Sequence, residues 1–146
     1  MSNNIELETI YNLNHGVIHT NLKGITQEES IKPSGEGGTS INWILGHLIL
    51  TRDSIFQILG VDKMFPESLK PIYSRGTKNV TAENAEKLET LLQLLDKTQE
   101  VLKSEIEMSL DEEKRKNVAF FGFHESYHAG QLGIMRRVIG KEGSIK

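Results

Sequence analysis

The run His124-Glu125-Ser126-Tyr127-His128 sets two imidazoles four residues apart. On a helix, side chains at that spacing lie about 5–6 Å apart at Cβ, so both rings reach a common metal ion without distorting the backbone. Taking about 100° per residue with Phe120 as origin, Gln131, His124, Met135, His128, Phe121 and Ile139 fall within roughly 20–100°. Both histidines are therefore expected mid-stripe, facing the core. A lone core-facing histidine is ordinarily a hydrogen-bonded packing residue. Two of them, with Gln131 on the same stripe, carry a desolvation cost that a metal ion or polar partners must offset. The chemistry this predicts is ligation of a divalent metal.

A third ligand has to come from another helix. His47, in Asn42-Trp43-Ile44-Leu45-Gly46-His47-Leu48, flanks an apolar stripe and completes a three-histidine set. Three protein ligands leave a position open for water or substrate, which is the arrangement of catalytic rather than structural zinc sites. Gln131, one turn beyond His128, and Tyr127 and Glu125 beside the ligands are candidates to orient an imidazole or a bound water. Asn42 and Trp43 are expected near the pocket mouth, and Arg75 is placed to meet an anionic substrate. The run also spells H-E-x-x-H, the zinc-protease pattern with Glu125 as general base. The extended form of that motif wants Gly at 131 and His at 134, where this chain has Gln131 and Ile134, and no strand is predicted to bind a peptide. A second pair, His15 and His19, is also spaced four apart but falls off the stripe of its helix, so a solvated face is expected for it. The charge run Asp111-Glu112-Glu113-Lys114-Arg115-Lys116 reads as solvated helix.

Four helical segments must position these residues. The first, roughly residues 3–23, carries Leu7, Ile10, Leu13, Asn14, Val17 and Ile18 on one side. The Pro- and Gly-bearing connection 31–38 breaks the chain, and Thr39 or Ser40 caps a second helix that Gly60 closes. A long irregular stretch, 61–80, follows. Thr81 is expected to cap the third helix, with Leu88, Leu91, Leu92, Leu95, Leu102 and Ile106 as its stripe. Ser109 with Glu112 forms a capping box for a fourth helix, antiparallel to the third and ending near Gly140. The fold class is all-α: a four-helix bundle with a long crossover between helices two and three, one domain over residues 1–146.

Composition narrows the function further. The 146 residues include five His and no Cys, which excludes disulfides, thiolate zinc sites, iron–sulfur clusters and a protein thiol nucleophile. A formal net charge of −3 argues against nucleic acid as a partner. The N-terminus has no basic and apolar leader, and no apolar run approaches the ~20 residues of a membrane span, so a cytoplasmic chain with no membrane partner is expected. The long apolar stripes on so small a chain suggest a self-association face.

Taken together, Ser40-Ile41-Asn42-Trp43-Ile44-Leu45-Gly46-His47-Leu48 and His124-Glu125-Ser126-Tyr127-His128-Ala129-Gly130-Gln131-Leu132 resemble the DinB/YfiT-like metalloenzyme superfamily. The resemblance spans nearly the whole chain and includes the Pro/Gly turn before the second helix and Tyr73-Ser74-Arg75-Gly76 after it. It implies a bundle that is commonly homodimeric, with metal on His47, His124 and His128, and zinc or nickel as the cofactor. Characterised members with this pattern are thiol-dependent transferases and isomerases, among them bacillithiol transferases and a mycothiol-dependent maleylpyruvate isomerase. The implied activity is activation of a low-molecular-weight thiol for transfer to, or isomerisation of, a small electrophile. The alternatives are a metal-dependent hydrolase of a small substrate and a non-catalytic metal-binding stress protein. The His15/His19 pair lies outside the family pattern.

Overall fold

The computed structural model describes residues 4–36 and 38–145, and every regular element among them is helical. Four long helices, α1 (Ile5–Leu22), α3 (Ile41–Leu59), α5 (Leu88–Ile106) and α6 (Glu112–Val138), alternate with two single turns, α2 (Gln27–Ser30) and α4 (Lys70–Tyr73). The starts of α2, α3 and α6 follow side-chain chemistry. The Ser40 hydroxyl accepts from the Trp43 amide at 3.2 Å to begin α3, and Thr26 with Glu29 forms a reciprocal capping box on α2. Gly60, at φ 75°, ends α3 in the left-handed conformation a side chain disfavours.

Two caps differ from expectation. Asp111, not Ser109, caps α6, its carboxylate accepting from the Lys114 amide at 2.8 Å. A carboxylate next to the first turn also opposes the positive end of the helix, which a hydroxyl does not. Thr81 closes an isolated turn with Asn84, each side chain accepting from the other's amide, and α5 begins only at Leu88. The connection 31–38 is irregular as predicted where it is described; its Gly37, like residue 3 at the start of the predicted first segment, lies outside the described residues.

The stretch 61–80 is more ordered than a bare crossover. Asp53 of α3 accepts from the amides of Met64 and Phe65, a 3-10 turn spans Glu67–Leu69, and α4 then packs onto α3. Pro71 is tolerated there because the first turn of a helix has no use for its missing N–H.

Helix directions follow from which residues pair. Tyr11, Asn14 and Asn21 of α1 reach the carbonyls of Val118, Gly122 and Ala129 of α6, so these two run parallel. His47 and Arg52 of α3 face His128 and Glu125 of α6, an antiparallel pair. Gln99 and Asp96 of α5 meet Asn12 and His19 of α1, antiparallel again. Helices α5 and α6 therefore run in opposite directions, as expected, but the short link between them crosses the end of the assembly. Each packs mainly against α1 and α3, not against the other.

The core has two apolar clusters with a polar layer between them. Ile18, Leu45, Leu48, Leu95 and Leu132 belong to one cluster; Tyr11, Ile55, Phe56, Leu102 and Val118 belong to the other. Along each long helix the residues between those sets are polar: Asn14, Arg52, Thr98 with Gln99, and Glu125. Arg52 is fully buried. Its Nε donates to Glu125 Oε1 at 2.7 Å, Nη1 to Thr98 Oγ1 at 2.9 Å and to the Leu95 carbonyl, and Nη2 to Gln99 Oε1 at 2.8 Å. No helix among the described residues is long and apolar enough to cross a membrane.

Candidate metal centre

Antiparallel packing of α3 on α6 brings His47 against the His124/His128 pair. The His47 ring centroid lies 5.6 Å from that of His124 and 5.4 Å from that of His128, and the two α6 rings are 4.5 Å apart. His124 Nε2 and His128 Nε2 are separated by 3.1 Å, and one ligand nitrogen from each of the three rings lies within 4.8 Å of the others.

The surroundings fix which nitrogen of two of the rings faces inward. His47 Nδ1 is 2.9 Å from the Tyr73 carbonyl, which can only accept, so Nδ1 carries the proton and the Nε2 lone pair is free. That carbonyl is in place because Gly46 has no side chain: a Cβ there would sit 2.2 Å from the Tyr73 ring. The Tyr73 phenol, pushed up to about 12 by burial, donates to Asn42 and accepts from the Glu86 amide, which holds the ring flat across α3. Trp43 stacks on His47 at 4.7 Å between centroids and 9° between planes, with its indole N–H donating to Thr77 and the Ile72 carbonyl. On α6, Gln131 Oε1 accepts from His128 Nδ1 at 2.9 Å and so turns the lone pair of that ring inward as well. His124 Nδ1 is buried with no partner among the described residues.

All three imidazoles are held in the neutral form that metals bind. Burial, then the repulsion that His128 or His47 would exert if protonated and the Arg75 charge, push His124 down to about 4. Burial lowers His47 against the opposing pull of the Tyr73 carbonyl, and it lowers His128 against that of Gln131. Three neutral nitrogens crowded into so small a space, two of them oriented by second partners, fit a divalent metal ion of borderline character.

Other residues singled out from sequence fall elsewhere. The α6 histidines border the buried face instead of occupying its centre, which is formed by Glu125, Ala129 and Leu132. The Glu125 carboxylate is spent on Arg52 and Asn14 in the polar layer, turned away from the imidazoles by its position on the helix. Tyr127 is exposed, its ring centroid 5.3 Å from that of His128. Asn42 is fully buried and ties Tyr73 to the Glu86 carbonyl, so it braces the site from behind instead of lining a mouth. Arg75 is exposed and close enough to act on His47 and His124. His15 and His19 are only part-exposed and meet at Asp96 of α5, where a freely solvated face was expected.

Three contributors went unread in the sequence. The Tyr73 carbonyl was invisible because backbone atoms leave no compositional trace, although a glycine directly before His47 on a buried stripe signals a close crossing. Arg52 and Asp53, charged residues inside an otherwise apolar helix, marked the polar layer and the crossover anchor.

No curated protein matches this chain. A model of the DinB family matches residues 1–144, and with that span the chain belongs to the DinB family.

Proposed function

We propose that this chain is a metal-dependent enzyme of the DinB family, built as a four-helix bundle, in which His47, His124 and His128 hold a zinc or nickel ion. The reading rests on one observation: three neutral imidazoles from two helices converge, with the tautomers of two set by Tyr73 and Gln131 so that their Nε2 lone pairs face inward. When bound, the cation lowers the pKa of a thiol or water in its open position. The chain contributes the rest. Tyr73 and Gln131 keep His47 and His128 in register, and Trp43 covers one face of the His47 ring. Arg75 supplies an exposed positive charge at the margin, suited to an anionic group on a small substrate. Because the sequence has no cysteine, a thiolate reacting here comes from a low-molecular-weight thiol, and the activity we propose is its transfer to, or use in isomerising, a small electrophile.

We further place a homodimer contact on the outer face of α6, where Phe120, Phe123, Tyr127, Ile134 and Val138 are each more than half exposed. At about 100° per residue these five span only about 60° of the helix. A cytoplasmic location agrees with both parts of this proposal.

Elemental analysis tests the site. His124→Ala and His128→Ala should each lose the metal held by the three-histidine cluster, and unchanged content in both variants would overturn it. Incubating metal-loaded protein with a panel of small electrophiles, with and without low-molecular-weight thiols, tests the reaction. Conjugate or isomer formed only with thiol supports the proposal; thiol-independent hydrolysis, or tight metal binding with no turnover, overturns it.

A further inference from the structure

The pair His15 and His19 repeats on α1 the four-residue spacing of the α6 pair, and it has found a third ligand of its own. His15 Nε2 lies 3.1 Å and His19 Nε2 2.6 Å from the same oxygen, Asp96 Oδ1 of α5. The rings are 4.7 Å apart at 65°, and one ligand atom from each of the three residues lies within 4.8 Å of the others. We propose that His15, His19 and Asp96 form a second divalent-cation site, on the α1–α5 seam and separate from the three-histidine cluster between α3 and α6.

Three features carry it. The donor set is two imidazole nitrogens and one carboxylate oxygen, a combination that zinc accepts as a three-ligand site with room for solvent. Magnesium and calcium prefer all-oxygen shells, so the nitrogen donors select a borderline transition ion. The second feature is convergence: a single carboxylate oxygen facing two Nε2 atoms can satisfy both only by accepting two N–H bonds at once, whereas a cation takes one lone pair from each group. The third is access. The side chains of His15, His19 and Asp96 are 25%, 39% and 54% exposed, so an ion can enter without opening the core. Since Asp96 lies some eighty residues from the pair, binding there clips the first long helix to the third. The site would act on the anchoring of α1, not on the chemistry at the three-histidine cluster.

The test begins by removing the other cluster. In a His47→Ala/His124→Ala/His128→Ala variant, zinc titrated against a chromophoric chelator should still bind at one equivalent per chain, in the micromolar range or tighter. Adding Asp96→Asn, which keeps a hydrogen-bonding group of the same shape, or His15→Gln with His19→Gln, should weaken that binding at least tenfold. In case the triple variant does not fold, the same Asp96→Asn change in the wild-type chain should lower zinc content by one equivalent. Cobalt substitution gives an independent reading, since the absorption band of the His₂–carboxylate set should disappear with Asp96→Asn while that of the three-histidine set remains. No zinc bound by a folded triple variant, or zinc binding indifferent to Asp96→Asn and to the double glutamine variant, would overturn the proposal. Loss of the three-histidine cluster alone would leave these results unchanged, so the two sites fail or stand separately.

Discussion

Replacing Glu125 by Ala separates two accounts of the H-E-x-x-H run. In the structure its carboxylate is 3% exposed and bonded to Arg52, which is itself 0% exposed. Removing it leaves a buried guanidinium with an unpaired Nε–H and no counter-charge. Breaking one side of a buried pair costs about 3–5 kcal/mol, a large part of the ~5–15 kcal/mol that holds a domain folded. For a chain of this size that corresponds to a fall in Tm of about 10–20 °C. Arg52→Met should cost a similar amount, because Glu125 is then the uncompensated charge. The pair Arg52→Met/Glu125→Ala removes both charges, so urea unfolding should show it to be more stable than either single variant, which requires a coupling energy larger than either single cost, above about 3–5 kcal/mol. Thr98, Gln99 and Asn14 lose partners in the double variant, which keeps it below wild type. Metal content should stay unchanged in all three variants that fold. If both single variants unfold within about 1 kcal/mol of wild type while Glu125→Ala loses metal or activity, then Glu125 works at the site and the polar-layer account is wrong.

Gly46→Ala should drive the added methyl into the Tyr73 ring, costing about 1–3 kcal/mol in denaturant unfolding and weakening zinc binding, because the carbonyl holding His47 moves with the ring. Stability loss with unaltered zinc affinity would show that Tyr73 does not orient His47. Gln131→Ala should lower metal affinity about 10–100-fold in chelator competition while Tm changes little, since Gln131 is only half-buried; an unchanged affinity would remove it from the set that orients the ligands. Phe123→Glu with Tyr127→Glu should give a monomer in light scattering at concentrations where the wild type is a dimer, and a wild type that is monomeric at micromolar concentration would refute the contact face. Ser40→Ala should cost about 1 kcal/mol in thermal or denaturant unfolding through the lost cap on α3, and a change near zero would mean the Trp43 amide finds another acceptor.

The chemistry was more legible than the packing. Residue type and spacing alone paired His124 with His128, because a four-residue interval has one meaning on a helix, whereas His47 was reached from its place beside an apolar stripe and from the family resemblance. The stops at Gly60 and near Gly140 were readable for a similar reason: glycine ends helices through its own backbone freedom. Helix orientation was misread wherever apolar residues face outward. On α6 the exposed Phe120 pulled the apparent apolar centre away from the buried line of Glu125, Ala129 and Leu132 by about 80°. On α1 the exposed Ile10 and Leu13 did the same, so that His15, which follows buried Asn14, was assigned to open solvent when it borders α5. Periodicity sums all apolar surface and cannot separate what a helix buries in its own chain from what it offers to another. The second copy proposed for the exposed aromatic face of α6 would cover Tyr127, whose ring centroid lies 5.3 Å from that of His128.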